Sequence, residues 1–321
     1  MSENIVLGPQ DVMKDPGENV VFATYTLNMS ADKHEKVKEV IADLADHITP
    51  FLNSMRIRYP DGDLRFVFGM GSNAWDYLYP KSAKPKELAP FKEIDGPKED
   101  AIATPGDLFF HIRAKEMTIC YQIHQLCYDI IADYVELVDE THGFRYFEGR
   151  SIIGFVDGTE NPSGTTIPSY ALIGDEDKDF INGSYAFTQK YIHDMSFWNN
   201  LSTENQEKSV GRKKFDDLEL PDAEKMKNAH NIVSKDVHDG KEHKIIRMNV
   251  PYAVTGQKKV GTYFIGYSRY FSVINNMLTN MFEGKPKGNY DRLLDFSKPL
   301  TGVSFFIPSY DTLAKIADGS L

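Results

Sequence analysis

Gly106-Asp-Leu-Phe-Phe-His-Ile-Arg113 and Gly261-Thr-Tyr-Phe-Ile-Gly-Tyr-Ser268 are two runs rich in apolar, β-branched and aromatic residues, 155 positions apart. Composition of this kind over eight residues predicts a strand. An apolar stripe at helical spacing follows each run: Ile119, Ile123, Leu126 and Ile130 after the first, Phe271, Ile274, Leu278 and Met281 after the second. Phe109 and Phe264 coincide at that offset, and Phe22 and Phe187 sit in matching candidate first strands. The pattern predicts an α+β protein of two similar halves, residues 1–150 and 151–321, each an antiparallel sheet with helices packed on it.

The same grammar extends outward from the two runs. In the first half Val20–Asn28 alternates like a strand, and Ser30 stands where a helix cap is expected, ahead of a face made by Val37, Ile41, Leu44 and Ile48. Leu64–Met70 reads as a strand and leads into a short helix that Pro80 ends; five prolines between Pro80 and Pro105 predict a long loop. In the second half Ser184–Ile192 and Gly302–Pro308 read as strands, and residues 195–210 as helical. Residues 1–19 form an irregular lead-in.

Composition narrows the function. The 321 residues are 41% hydrophobic and 26% charged, which is globular and excludes a disordered or collagenous chain. A net charge of −11 lacks the electrostatic footprint for wrapping nucleic acid or lying on an anionic membrane. No run of apolar residues is long enough to span a bilayer, and Met1–Pro9 lacks the basic start of a secretory signal. Cys120 and Cys127 fall on one helical face, roughly 10 Å apart at 1.5 Å per residue, too far for a disulfide. They read as buried structural thiols in a cytoplasmic protein.

Four stretches could carry chemistry. Gly69-Met-Gly71-Ser-Asn-Ala74 has the form of a dinucleotide fingerprint, but its helix meets Pro80 within two turns, so it reads as a tight strand-to-helix turn. In Gly154-Phe-Val-Asp157-Gly158-Thr159-Glu160-Asn161-Pro162, glycines bracket an aspartate in an open loop, where backbone can approach a ligand closely. Between Asn228 and Tyr252 lie His230, His238 and His243, then Arg247 and Asn249, two apart and so on one face of a strand with Ile245. An arginine among apolar neighbours needs a partner or a ligand. The histidine spacings of eight and five fit no zinc pattern. Asp291-Arg-Leu-Leu-Asp295-Phe-Ser reads as a helix end in which Asp295 is a cap.

In this order, and over almost the whole chain, these motifs resemble the haem-containing dye-decolorizing peroxidases, most closely the bacterial B-type members. The resemblance is carried by Gly154-x-x-Asp157-Gly158-Thr-x-Asn-Pro, His230, Ile-x-Arg247-x-Asn249-x-Pro-Tyr, Phe264-Ile-Gly-Tyr and Asp291-Arg-Leu-Leu-Asp-Phe-Ser. It implies two ferredoxin-like halves, as in the chlorite-dismutase-like superfamily, with one haem b per chain held mainly by the second. It makes His230 the axial iron ligand and Asp295 the acceptor for its other ring nitrogen, with Asp291 as the fallback. Asp157, Arg247 and Asn249 become the catalytic set on peroxide, and Gly158, Thr159, Glu160 and Phe264 further contacts of the cofactor. Hydrogen peroxide would then be cleaved to give compound I, with Asp157 moving the proton and Arg247 stabilising charge. An organic reductant such as a dye or a phenol returns the electrons. The alternative is a haem-handling protein with incidental peroxidase activity. A homo-oligomer is expected. Only Ser309–Leu321 follow the last expected strand, which speaks against loading into an encapsulin shell.

Overall fold

Strand pairing in the computed structural model, which describes residues 8–238 and 240–321, shows the same arrangement twice. The first half contains β1 (Asn19–Leu27), α1 (His34–Arg58), β2 (Arg65–Met70), α2 (Ser72–Leu78), β3 (Leu108–Ala114), α3 (Met117–Ile131) and β4 (Val135–Phe144). After the short α4 (Ile167–Ala171), the second half runs β5 (Ser184–His193), α5 (Met195–Asn200), α6 (Thr203–Val210) and α7 (His230–Val233). It continues with the hairpin β6 (Asp236–His238) and β7 (Lys241–His243), then β8 (Ile246–Val254), β9 (Lys259–Ser268) and α8 (Phe271–Phe282). The chain closes with β10 (Ser297–Pro299), β11 (Val303–Ile307) and α9 (Tyr310–Asp318). Part of the expected irregular lead-in, residues 1–7, lies outside the described residues.

The sheet order is β4-β1-β3-β2-β11-β5-β9-β8. Counting the four main strands of each half in chain order, both halves read 4-1-3-2, and every pairing between them is antiparallel. The halves join edge to edge at the single pair Met70–Phe306. Their outer edges also meet, because Gly143 of β4 backs directly onto Val250 of β8. The two sheets therefore face each other across one core, built from Val20, Phe22, Val67 and Phe109 on one side and Met248, Tyr263, Ile265 and Phe305 on the other.

The repeat is real, but the residues that suggested it are not equivalent. Phe22 and Phe109 point into the core between the sheets, whereas Phe187 and Phe264 belong to the outer, helix-covered face of the second sheet. Side chains alternate along a strand, so an alignment off by one residue exchanges faces. Helices supply the outer cover. Val37, Ile41, Leu44 and Ile48 of α1 and Ile119 and Ile123 of α3 bury against the first sheet, each worth about 1.5–3 kcal/mol. Leu313 and Ile316 of α9, from the far end of the chain, pack into the same cluster. Ser30 heads a 3₁₀ turn before α1 and makes no side-chain cap. Cys120 and Cys127 are free and buried, and burial pushes both thiols up to about 12.

Candidate active site

One cleft lies on the outer face of the second sheet, with about 1290 Å³ of free space including its open mouth. Arg247 and Asn249 of β8, Ile245 just before it, and Thr262 and Phe264 of β9 form its sheet wall. Alternation on β8 sends Ile246, Met248 and Val250 to the opposite face, into the core. Ile274, Met277, Leu278 and Met281 of α8 form an apolar wall, and His230 lines the cleft from the first position of α7.

His230 is held from behind. Its Nδ1 lies 2.6 Å from Oδ2 of Asp291, a fully buried carboxylate. The other oxygen of Asp291 accepts from the Leu293 backbone N–H at 2.9 Å, which fixes the carboxylate in turn. With Nδ1–H donating to Asp291, Nε2 keeps its lone pair. The acceptor expected at Asp295 is therefore Asp291. Residues 292–295 form a 3₁₀ turn at three residues per turn, so a residue four positions on points elsewhere. Asp295 is occupied by the Tyr290 hydroxyl at 2.9 Å and by the Arg292 guanidinium, and it does not line the cleft.

The glycine-bracketed loop docks on the free edge of β8. Asp157 Oδ2 accepts from the Asn249 backbone N–H at 2.9 Å, and Oδ1 accepts from Asn249 Nδ2 at 2.7 Å. Asn161 adds a second clamp: its Nδ2 donates to the Arg247 carbonyl at 2.8 Å, and its Oδ1 accepts the Arg247 N–H at 3.1 Å. Two side chains thus take the place of a neighbouring strand. The turn between them requires Gly158, whose φ of +82° is disfavoured for any residue with a Cβ. The outcome is a carboxylate fixed on the wall that also carries Arg247, whose backbone is clamped. Among the described residues no carboxylate pairs with the Arg247 guanidinium, although the side chain is half-buried.

Most residues singled out by sequence meet here: Asp157, Gly158, Thr159, Glu160, His230, Arg247, Asn249 and Phe264 all line the cleft. Thr159 and Glu160 are engaged with protein, Thr159 Oγ1 donating to Asp217 at 2.6 Å and Glu160 accepting from Arg212 at 2.9 Å. His238 and His243 stack on each other at 3.8 Å on the β6–β7 hairpin and do not line the cleft. Three residues of the site escaped sequence reading. Asn161 lay inside the quoted motif, and its clamping role depends on β8 being an edge strand. Arg212 sits in an unremarkable polar run. His193 lines the cleft with Nε2 on Thr262 and Nδ1 on Ser297, and burial lowers its pKa to about 4. The dinucleotide-like stretch is a turn, as expected. A side chain at Gly71 would collide with the Gly106 carbonyl.

The donor set fits haem. An imidazole anchored through Nδ1 by a buried carboxylate has one free nitrogen for an axial iron bond, the arrangement that fixes ring orientation and raises ligand basicity. The α8 wall suits an apolar macrocycle, and Arg247 offers a cation for carboxylate or peroxide oxygens, whereas Arg212 is already paired with Glu160 and Asp217.

Comparison with known proteins agrees. The sequence signatures of the Dyp-type peroxidase family match twice, the N-terminal one over residues 10–145 and the C-terminal one over residues 148–312. A dye-decolorizing peroxidase of Rhodococcus erythropolis is 44% identical over 306 residues, covering 95% of this chain and 88% of the relative. The crystal structure of a dye-decolorizing peroxidase from Bacteroides thetaiotaomicron is 51% identical, with a TM-score of 0.90 over 96% of this chain and 98% of that one. A DypB variant from Rhodococcus jostii RHA1, solved in complex with haem, is 42% identical, with a TM-score of 0.91 over 96% and 98% of the two chains. The chain belongs to the Dyp-type peroxidase family and is a haem-dependent peroxidase.

Proposed function

We propose that this cleft binds one haem b per chain, with His230 as the iron ligand and Asp291 as its anchor. Asp157, Arg247 and Asn249 then act on hydrogen peroxide. The observation that carries the reading is the His230–Asp291 contact of 2.6 Å together with Arg247 in the same cleft, whose guanidinium pairs with no carboxylate among the described residues. Bound haem supplies the redox chemistry, taking oxidising equivalents from peroxide and passing them to an organic reductant such as a dye or a phenol.

The chain's own residues manage protons and charge. Peroxide cleavage needs a proton moved from one oxygen to the other, and a carboxylate can take it and return it. Asn249 holds both oxygens of Asp157 through donated hydrogen bonds, which fixes the carboxylate against the wall. The Arg247 guanidinium stabilises negative charge growing on the departing oxygen. Asn161 fixes the Arg247 backbone, so the Asp157 loop and the strand that carries Arg247 keep a constant relation. Asp291 keeps the His230 ring in the tautomer whose Nε2 is free to ligate.

Two free buried thiols support a reducing compartment, and we place the protein in the cytoplasm. No helix among the described residues is long and apolar enough to cross a membrane. Titration of the purified protein with haem, followed by absorption spectroscopy, tests the reading. Wild type should take up one equivalent, and His230→Ala should give no histidine-ligated spectrum. A normal spectrum and full turnover in the variant would move the ligand to another histidine.

A further inference from the structure

Behind the cleft, in the core between the sheets, four rings form a column. Tyr263 stacks on Phe22 at 3.9 Å, Phe22 on His111 at 4.5 Å, and His111 lies parallel to Tyr267 at 6.1 Å, all within 17° of parallel at each step. The Tyr267 hydroxyl is 2.7 Å from His111 Nδ1. All four side chains are essentially fully buried. Tyr263 and Tyr267 alternate along β9 with Thr262 and Phe264, which line the cleft. The column therefore stands one sheet behind the cleft wall.

Packing does not call for this arrangement. Beyond its bond to Tyr267, His111 leaves Nε2 buried with no partner among the described residues, and the neighbouring Arg113 is buried with its Nε likewise unpartnered among them. A phenylalanine and a leucine would fill the same space without orphaned polar atoms. A phenol in contact with a neutral imidazole is, however, the pair that lets a tyrosine lose an electron and a proton together. Without a base, the oxidised tyrosine would have to keep its proton as a strongly acidic radical cation; the imidazole holds that proton far better.

We propose that Tyr267 is a reversible one-electron store for oxidising equivalents generated in the cleft, with His111 as the acceptor of its phenolic proton. The inference rests on the peroxidase reading of the cleft. Hydrogen peroxide delivers two oxidising equivalents. One electron leaves Tyr267 for the oxidised cleft, the Oη–H bond breaks, and a bond forms between that proton and His111 Nδ1. The products are a neutral tyrosyl radical and an imidazolium. An electron from an organic reductant reverses the step and the proton returns to Oη. Desolvation and the Arg113 charge hold His111 well below the usual imidazole range, so it is neutral at rest and gives the proton back readily. The store would fill when reductant is scarce and spare the cleft from its own oxidant.

Freeze-quench electron paramagnetic resonance on the haem-loaded enzyme tests this, with hydrogen peroxide added and no organic reductant. The expected result is a tyrosyl signal that narrows in protein grown on ring-deuterated tyrosine and disappears in Tyr267→Phe. In His111→Gln, where the hydrogen bond can persist but the base is gone, the signal should be lost while haem uptake is kept. A tyrosyl signal of full intensity in Tyr267→Phe, or none in wild type, overturns the proposal, and full intensity in His111→Gln overturns the role of His111. Haem uptake and peroxide consumption are read on the same samples. If both are normal and the tyrosyl signal is absent, the store alone has failed; if both are absent, the reading of the cleft has failed.

Discussion

The two halves share a strand order and differ in what covers their outer faces. On the first sheet, α1 runs 25 residues and α3 runs 15, and with α9 they close the face into a packed core. In the second half only α8, 12 residues long, keeps its place as the helix between the third and fourth strands. Where the first half has α1, between its first and second strands, the second half runs from Asp194 to Ile245 as short helices, loops and a small hairpin. The missing long helix is the cleft. His230 stands on the short α7 within that replacement, so one substitution of architecture both opens the space and delivers its ligand. A family of functions can sit on one repeated frame because filling or emptying a single helix position decides whether a half is core or site.

Removing the histidine that only the second half carries should have the largest effect. His230→Ala should abolish haem uptake and turnover together, while leaving the first half folded. Asp291→Asn should weaken haem binding or activity by about 10–100-fold, the usual cost of losing a carboxylate behind a ligating histidine. Asp295→Asn should leave the haem spectrum unchanged. Titrations of the three variants, read by absorption, check all of this, and an inverted order of the two aspartates would return Asp295 to the role.

Stability should distinguish packed face from open face. Leu44 of α1 and Leu278 of α8 are both buried, but Leu278 lines the cleft. Leu→Ala in a core costs about 2–5 kcal/mol, rising with the cavity left behind. Leu44→Ala should fall near the upper end of that range and Leu278→Ala near the lower, since its lost volume merges with space that already exists. Urea unfolding of the haem-free variants measures both. Equal losses would mean that the cleft is collapsed in solution.

On the cleft wall itself, Arg247→Leu should slow peroxide cleavage by about 10²–10³, the cost of removing one well-placed stabiliser of oxyanion charge. Asp157→Ala should cost less, because water can relay a proton whereas nothing else on that wall replaces the guanidinium. Stopped-flow rates at equal haem loading check the order. The reverse order would make Asp157 the principal catalyst.

How much of this could be read from sequence depends on range. The roles of Asp157, His230, Arg247 and Asn249 were legible only through the resemblance to the dye-decolorizing peroxidases, since residue type and spacing alone left the loop, the histidines and the arginine unassigned. Which aspartate serves His230 was not, since the choice depends on a 3₁₀ rather than an α-helical turn. The repeat was visible through Phe109 and Phe264 only by coincidence, as they face opposite sides of their sheets. Parity along a strand is set by a single residue, and loops of unequal length erase it. Edge strand β4 passed unnoticed because polar residues such as Glu136, Asp139, Glu140 and His142 interrupt its apolar positions. The docking of α9 on the first half is a long-range contact with no local signal.

The smallest expected effect concerns His193, which the second half buries beside the cleft. Its pKa of about 4 in the folded protein lies below the ordinary imidazole value of 6.5. The folded state therefore binds fewer protons than the unfolded state between those limits, and stability falls as pH drops through that window. About one pH unit above 6.5 both states are neutral and the residue contributes no further pH dependence. The slope cannot exceed about 1.4 kcal/mol per pH unit for one group, so lowering pH from 6.5 to 5 should cost at most about 2 kcal/mol. His111, buried in the core, pulls in the same direction and steepens the total. His193→Gln isolates the first contribution, because an amide can still bond Thr262 and Ser297 but does not titrate. Urea midpoints of wild type and variant at pH 7 and pH 5, at equal haem loading, should therefore differ in their shift: the variant should lose less stability on acidification. A shift identical in the two proteins would mean that the imidazole reaches solvent through the cleft and titrates normally there. That result would redraw the comparison, since the site's inner wall would then be wet where the first half is dry.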